Sequence, residues 1–290
     1  MRYSRMNMSI FLKLCIRLLS KVSRKLVLLS DIYKPFIRTI FYKGIKLYYS
    51  KGTTIVEGNS ANPVRFGGTY EPLETSTIVN ALKKSSDPIF VDIGANIGLM
   101  AINVLHDVPH AKVFAFEPGL HQHNLFEKTI ETNSLKERIV LSQRAIGAET
   151  GIASFSVHAD KHSSGDGFLD TGRAGHSNVR SVSVVTLDNW WKSQNYPVIT
   201  VIKMDIEGAE LWALEGGYDL MSSCKPIIIF EIHPLNLQPY PYSASDILAY
   251  LKKRGYHLNT ISGKSVSTEN ISETLIQETS FIATPITTIQ

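Results

Sequence analysis

The stretch Phe90-Val91-Asp92-Ile93-Gly94-Ala95-Asn96-Ile97-Gly98 constrains this chain more than any other. A short apolar run, of the length of a buried strand, ends in an acid. A glycine-rich turn follows at once and opens onto a second apolar stretch from Leu99. A strand apolar on both faces belongs to a parallel sheet covered by helices on either side. Gly94 suits a backbone conformation or a close approach that a side chain would block. Gly98 lets the next helix pack tightly. Such a turn lies at the carboxyl end of its strand, where sheets of this kind bind ligands.

The chain repeats this rhythm from about residue 70 onward. Strands are predicted at Ile89–Ile93, Lys112–Phe116, Ile139–Leu141, Val198–Met204 and Pro226–Phe230, with closing strands at His257–Thr260 and Phe281–Thr284. Helices are predicted at Leu99–His106, His121–Asn133, Ala209–Gly216 and Ser243–Lys253. Extra β segments, Ile152–Val157 and Val179–Val185, flank a polar loop. Repeated βα units imply an α/β fold with a mostly parallel sheet. The 290 residues suffice for one large domain, and no internal repeat is visible.

Charge divides the chain. Residues 1–51 hold 12 Lys and Arg against one acid, Asp31, and the remainder holds 18 basic and 25 acidic residues. The basic character therefore belongs to an N-terminal arm, and a nucleic-acid-binding body is not indicated. Residues 10–29 place Phe11, Cys15, Leu18, Val22, Leu26 and Leu29 at helical spacing, with Lys13, Arg17, Lys21 and Arg24 on another face. After Pro35 a second apolar and basic stretch runs to about Tyr49. The charges exclude a clean signal peptide or membrane span. The expected organisation is a basic amphipathic helical extension over 1–51, a linker over 52–69 and the main domain over 70–290. The extension either packs on protein or touches an anionic membrane from the cytoplasmic side. Two distant cysteines, Cys15 and Cys224, give no zinc or disulfide framework.

Three further segments carry charged groups at strand ends. Glu117, in Phe116-Glu117-Pro118, lies 25 residues after Asp92 and can accept hydrogen bonds from a ribose. Lys203, Asp205 and Glu207 share parity at the end of an apolar strand, as do Glu231 and His233 at the end of another. Each has a structural alternative: Asp92 and Glu117 as helix caps, Lys203 and Asp205 as a buried pair, and His233 as a loop residue before Pro234. The pattern Asp-x-Gly-x-Asn-x-Gly lacks the fingerprint of dinucleotide binders, which weighs against an NAD-dependent oxidoreductase. A non-catalytic S-adenosylmethionine-binding module would need Asp92 and Glu117 but not the other acids.

In order along the chain come Asp92–Gly98, Phe116–Pro118, Thr186-Leu-Asp188, Ile202–Glu210 and Phe230-Glu-Ile-His233. Together they resemble the FkbM family of methyltransferases over roughly residues 70–285. The resemblance implies a Rossmann-like class I methyltransferase fold with a seven-stranded sheet, S-adenosylmethionine as cofactor, and mostly O-methylation of sugar or polyketide hydroxyls. Asp92, Gly94, Ala95, Asn96, Gly98, Glu117 and Pro118 are then the cofactor-binding positions. His233 is the expected base, with Asp205, Glu207 and Glu231 as substrate-positioning groups or alternative bases. Lys203 would hold the acidic cluster in place, and Glu74 is expected to close over the site. The acceptor would be a small molecule or a glycan. A Mg²⁺ shared by Asp205 and Glu231 is conceivable, but the ligand set is incomplete. His158, Asp160, His162, Asp166 and His176 are too irregularly spaced for a metal site and fit a substrate loop better.

Overall fold

A computed structural model describes residues 37–50, 53, 56, 64, 67–158, 165–172 and 177–286. The helix expected over residues 10–29 lies outside them, as do Asp160, His162 and His176. Two compact units are distinguished, residues 1–38 and 39–290. Among the described residues no helix is long and apolar enough to cross a membrane.

Seven strands form the main sheet: β3 (Ile89–Ile93), β4 (Lys112–Phe116), β5 (Ile139–Ser142), β9 (Val201–Met204), β10 (Ile227–Glu231), β11 (Tyr256–Thr260) and β12 (Ser280–Pro285). Their order is β11-β12-β10-β9-β3-β4-β5. The five from β10 to β5 are parallel, and β12 runs antiparallel between β10 and β11. The chain builds outward from β3 through β4 to β5, then returns to β9 on the other side of β3. The junction of β3 and β9 is thus where the strand order reverses, the place at which such sheets open a crevice for ligands.

Strand parity divides the core. Val91, Ile93, Phe114, Phe116, Ile202, Met204 and Phe230 pack on one face with Trp190, Leu214 and Leu248. Phe90, Val113, Ala115, Val201 and Ile229 pack on the other with Ile78, Leu82, Val104 and Phe126. The second face is covered by helices α1 (Pro72–Leu82), α2 (Leu99–Asp107) and α3 (Leu120–Thr132), and α1 lies over β9 and β10. Asp92, Glu117, Lys203 and Glu231 share the parity of this second face, so all four project toward the side that α1 covers.

Residues 37–50 are a β-hairpin, β1 (Ile37–Tyr42) and β2 (Ile45–Ser50), and not the end of a helical arm. Its turn, Lys43-Gly44, has positive φ at both positions, 48° and 80°, as a tight hairpin turn requires. Tyr42, Leu47 and Tyr49 are buried with Ile97, Leu99, Ile102 and Leu125. The Asn133 side chain bonds both the N–H and the carbonyl of Lys46, at 3.0 Å each, and Tyr48 N–H donates to Thr129 Oγ1 at 3.1 Å. These side chains satisfy a strand edge that would otherwise need a partner. The hairpin is therefore built into the core, and the expected boundary at residue 51 falls too late.

A second sheet, β6 (Ala145–Ile146), β7 (Gly151–His158) and β8 (Ser177–Val185), holds the extra β segments. Of the polar loop between β7 and β8, Gly167 exchanges backbone hydrogen bonds with Ser156, so this part folds back along β7.

Candidate active site

Two clefts open at the carboxyl ends of the strands and share Lys203 and Asp205. The larger in open space, about 960 Å³ including solvent at its mouth, is lined by Asp92, the turn from Gly94 to Ile97, Glu117, Pro118 and Gln122, and by Arg144, Ile146, Phe155, Asp166, Phe168 and Glu207. The smaller, about 500 Å³, is lined by Glu71, Glu74, Lys203, Asp205, Glu231 and Ser280.

The glycine turn is pinned from both sides. Gly94 and Ala95 donate their N–H groups to the Phe116 carbonyl, at 2.9 and 3.0 Å. Gly94 has φ +81°, and a methyl there would lie 2.0 Å from the Asp205 carbonyl oxygen. Its glycine is thus required by the backbone of the strand end opposite. Gly98, the N-cap of α2, has φ +88°, and a methyl there would strike the Phe126 ring. Asn96 is left-handed as well, at φ 50°.

Glu117 holds this turn. Its Oε2 accepts from Asn96 N–H at 2.8 Å and its Oε1 from Gly119 N–H at 2.7 Å. The carboxylate is 7 % exposed, and burial outweighs the two N–H donors to push its pKa to about 7. Asp92 is 1 % exposed, and neither of its carboxylate oxygens has a hydrogen-bond partner among the described residues. Burial raises its pKa to about 7, with Lys203 opposing and Glu71 and Asp205 adding to the rise. A buried carboxylate without donors is costly. A cationic or hydrogen-bond-donating ligand in the cleft would remove that cost.

Lys203 is the hub between the clefts. Its Nζ lies 3.3 Å from Glu71 Oε2 and 3.4 Å from Asp205 Oδ2. Burial alone would lower the ammonium pKa, but Glu71, Asp205, Tyr70 and Asp92 together hold it well above its usual range. Glu231, opposite Ser280 in the sheet register, is raised to about 7 by burial and by Asp205 and Glu207. Glu71 is a residue that sequence reasoning missed. It precedes Pro72, has φ 42°, and serves as the N-cap position of α1, which brings it down onto Lys203. Glu74, one turn further on, lines the smaller cleft.

The shared parity of Lys203, Asp205 and Glu207 ends after Asp205. Asp205 N–H still bonds Ile93 O at 3.1 Å, but Glu207 and Gly208 have positive φ, 56° and 102°. Glu207 is turned into the larger cleft, with its Oε2 accepting from Asn236 Nδ2 at 2.6 Å. The buried Glu210 accepts from Ile206 N–H and Gly208 N–H and fixes this turn. His233 is the N-cap of a short helix, α4 (Pro234–Leu237), with Nδ1 accepting from Leu235 N–H at 3.3 Å. It lines neither cleft. Thr186 and Asp188 also cap helices: Thr186 Oγ1 accepts from Asn189 N–H, and Asp188 accepts from the N–H groups of Asp219 and Leu220.

Phe155, Phe168, Arg144 and Ile146, which sequence reasoning also missed, wall the larger cleft beyond Glu117. Phe168 stands edge-on to Phe155 and to Trp212, with ring centroids 5.8 and 5.9 Å apart. Asp166 lines the same cleft. Among the described residues no group of three or more His, Cys, Asp or Glu is placed to hold a metal ion.

Residues 92–258 match the family model of the methyltransferase FkbM domain. Methyltransferase sdnD of Sordaria araneosa is 27 % identical over 82 residues, which make up 28 % of this chain and 32 % of that protein. A methyltransferase FkbM from Methylobacillus flagellatus KT is similar in structure, with 19 % identity and a TM-score of 0.44 over 76 % of this chain and 52 % of that one. A putative O-methyltransferase from Klebsiella pneumoniae has 10 % identity and a TM-score of 0.40, over 73 % and 79 %. The chain thus spans about a third of the length of the first relative and about half that of the first structure.

Proposed function

The chain belongs to the FkbM family of methyltransferases, and on that premise we propose that it transfers a methyl group from S-adenosylmethionine to a hydroxyl of a small-molecule or glycan acceptor. The observation that carries the reading is the pair of buried carboxylates, Asp92 and Glu117, facing one cleft from the ends of adjacent strands.

The residues present fit S-adenosylmethionine. Asp92, buried and without donors of its own, would take the ammonium of the amino-acid part. Glu117 keeps acceptor capacity on both oxygens for ribose hydroxyls after its two backbone bonds. Ile146, Phe155 and Phe168 offer a flat base apolar walls beyond Glu117. When bound, S-adenosylmethionine supplies a methyl on a sulfonium, open to in-line attack by an oxygen.

The smaller cleft suits the acceptor. Asp205 and Glu231 line it beside Lys203, and they offer oxygens to a hydroxyl-bearing ligand. A hydroxyl attacks well only when its proton has a place to go. Glu231 is the supported base, because it lines this cleft and its carboxyl sits at a pKa of about 7, poised to take a proton near neutral pH. His233 does not line the cleft and caps a helix instead. Lys203 keeps the acids from repelling one another. The basic residues before Ile37 fit peripheral contact with an anionic membrane at the cytoplasmic face, where lipid-linked glycans are found.

The test has two arms. Mass spectrometry of glycans and small metabolites from cells with and without the gene should show one species that gains a single methyl. With that acceptor, Glu231→Gln should lower the methyl-transfer rate by about 10²–10⁴-fold, the usual cost of losing a general base. His233→Ala should keep most of the rate. The reverse order would return the base to His233, and binding of NAD without S-adenosylmethionine would remove the methyltransferase reading altogether.

A further inference from the structure

A buried chain of polar groups runs from the N-terminal hairpin to Lys203. Tyr42, at the end of β1, donates its hydroxyl proton to Asn103 Oδ1 on α2 and accepts from Tyr70 N–H at 2.9 Å. Asn103 Nδ2 in turn donates to Tyr70 O at 3.0 Å and to Thr75 Oγ1 at 2.9 Å. Thr75 Oγ1 donates to Tyr70 O at 2.7 Å. The backbone of Tyr70 is thus fixed at both its N–H and its carbonyl. Glu71 follows Tyr70 directly in the chain, and its carboxylate meets the Lys203 ammonium at 3.3 Å. Glu71 is held in a left-handed conformation that a side-chain-bearing residue adopts only when its surroundings enforce it.

We infer that Tyr42 is a positioning residue for the site: its hydroxyl holds the Tyr70–Glu71 strap, which sets Glu71 on Lys203 and so keeps the Lys203 ammonium off Asp92. The inference rests on the reading of the larger cleft as the S-adenosylmethionine site. Lys203 stands beside Asp92 in the sheet register yet is bonded to Glu71 and Asp205. The strap thereby leaves the Asp92 carboxylate for a ligand cation. Tyr42, Tyr70 and Glu71 all precede residue 92, where the family match begins, so this device belongs to the part of the chain outside the matched domain.

The charges involved can be enumerated. Facing Asp92 are Lys203 and Asp205 from β9 and its end, Glu71 from the strap, and Glu117 from the end of β4. Facing Glu71 are Lys203, Asp205, Tyr70, Glu74 and Glu231. Glu71 is a negative neighbour that makes Asp92 harder to ionise. Removing its charge therefore lets Asp92 ionise at lower pH, and it also frees the Lys203 ammonium to approach Asp92 and compete with a ligand cation, so the midpoint moves down while the affinity at high pH falls.

The experiment measures the affinity of the full chain for S-adenosylmethionine by calorimetry from pH 5.5 to 8.5. In the unaltered chain, affinity should fall as pH drops through about 7. In Glu71→Gln the midpoint of that fall should move to lower pH by about 0.5–1. Tyr42→Phe should move it the same way by less, and the double variant should move it no further than Glu71→Gln alone, because the two changes act through one contact. Thr75→Ala reaches the same strap from its other side and should match Tyr42→Phe. It carries the comparison if thermal denaturation shows that Tyr42→Phe does not fold. A folded Tyr42→Phe or Thr75→Ala with an unmoved midpoint, or a double variant that sums the two shifts, overturns the inference while leaving the cleft assignment intact. No binding of S-adenosylmethionine by the unaltered chain overturns both.

Discussion

Asp92 and Lys203 are opposite each other on neighbouring parallel strands, yet the Lys203 ammonium is bonded to Glu71 and Asp205. Both Asp92 oxygens lack hydrogen-bond partners among the described residues. A carboxylate so placed is costly to the free protein and valuable to a cationic ligand.

Asp92→Asn should therefore weaken S-adenosylmethionine binding by about 10–100-fold, the range for losing a buried charge-assisted bond. Methylthioadenosine, which has no amino-acid part, should bind almost as before. Calorimetry with the two ligands separates the roles. Equal losses would mean that Asp92 supports the turn and does not meet the ammonium.

Stability should depend on pH in an unusual direction. Asp92, Glu117 and Glu231 are raised to about 7 and Glu210 to about 8, each mainly by burial. In the unfolded chain such groups titrate near pH 4. Between these limits the folded chain holds protons that the unfolded chain has released. The contribution is fully present below about pH 4 and is lost as pH rises through 7 to 8. Thermal denaturation of the free protein should show a midpoint several degrees lower at pH 8 than at pH 5.5. S-adenosylmethionine should reduce that difference, because it favours ionised Asp92. A flat profile would show that these carboxyls are not held protonated.

Gly94→Ala should damage both halves of the crevice. The added methyl would meet the Asp205 carbonyl at 2.0 Å, in a backbone conformation that alanine resists. Strain of this kind costs about 1–3 kcal/mol before any clash is counted. A lowered thermal midpoint together with lost S-adenosylmethionine affinity is expected, with scanning calorimetry and binding measured on the same sample. Retention of both would mean that the turn relaxes without cost.

The hairpin and the basic arm should separate on truncation. A chain beginning at Ile37 keeps Tyr42, Leu47 and Tyr49, which are buried in the core, and should fold and bind S-adenosylmethionine. A chain beginning near residue 60 loses these side chains, each worth about 1.5–3 kcal/mol of burial, and should be much less stable. Full-length protein should sediment with anionic vesicles at low salt and less at high salt, and the chain beginning at Ile37 should not. Equal sedimentation of the two would remove the membrane role from the arm.

The strand ends were legible because an apolar strand that stops on an acid is a physical anomaly, and Asp92, Glu117 and Glu231 each make one. That they share one face, the one beneath α1, follows from the register between strands, which sequence alone does not state. Glu71 was hidden for that reason: Tyr70-Glu71-Pro72 reads as an ordinary helix start, and its meeting with Lys203 depends on where α1 lies. The hairpin escaped because Lys43-Gly44 is a weak turn signal and its basic residues continue the charge of the arm. Phe155 and Phe168 were illegible in a different way. They reach the cleft only because residues around Gly167 fold back along β7. His233 was favoured on chemistry alone, and the backbone after Glu231 takes its imidazole to a helix cap.

The position of β12 between β10 and β11 gives the molecule an order of completion. On a ribosome, β3, β4 and β5 with Asp92 and Glu117 are all available once residue 142 has emerged. The edge of β10 that bears Glu231 gains its neighbour only when Ser280–Pro285 is made. A nascent chain paused in between would already carry Asp92 and Glu117, while Ile228 and Phe230 still lay on an open strand edge. That interval is when the chain is most exposed to pairing with the wrong partner.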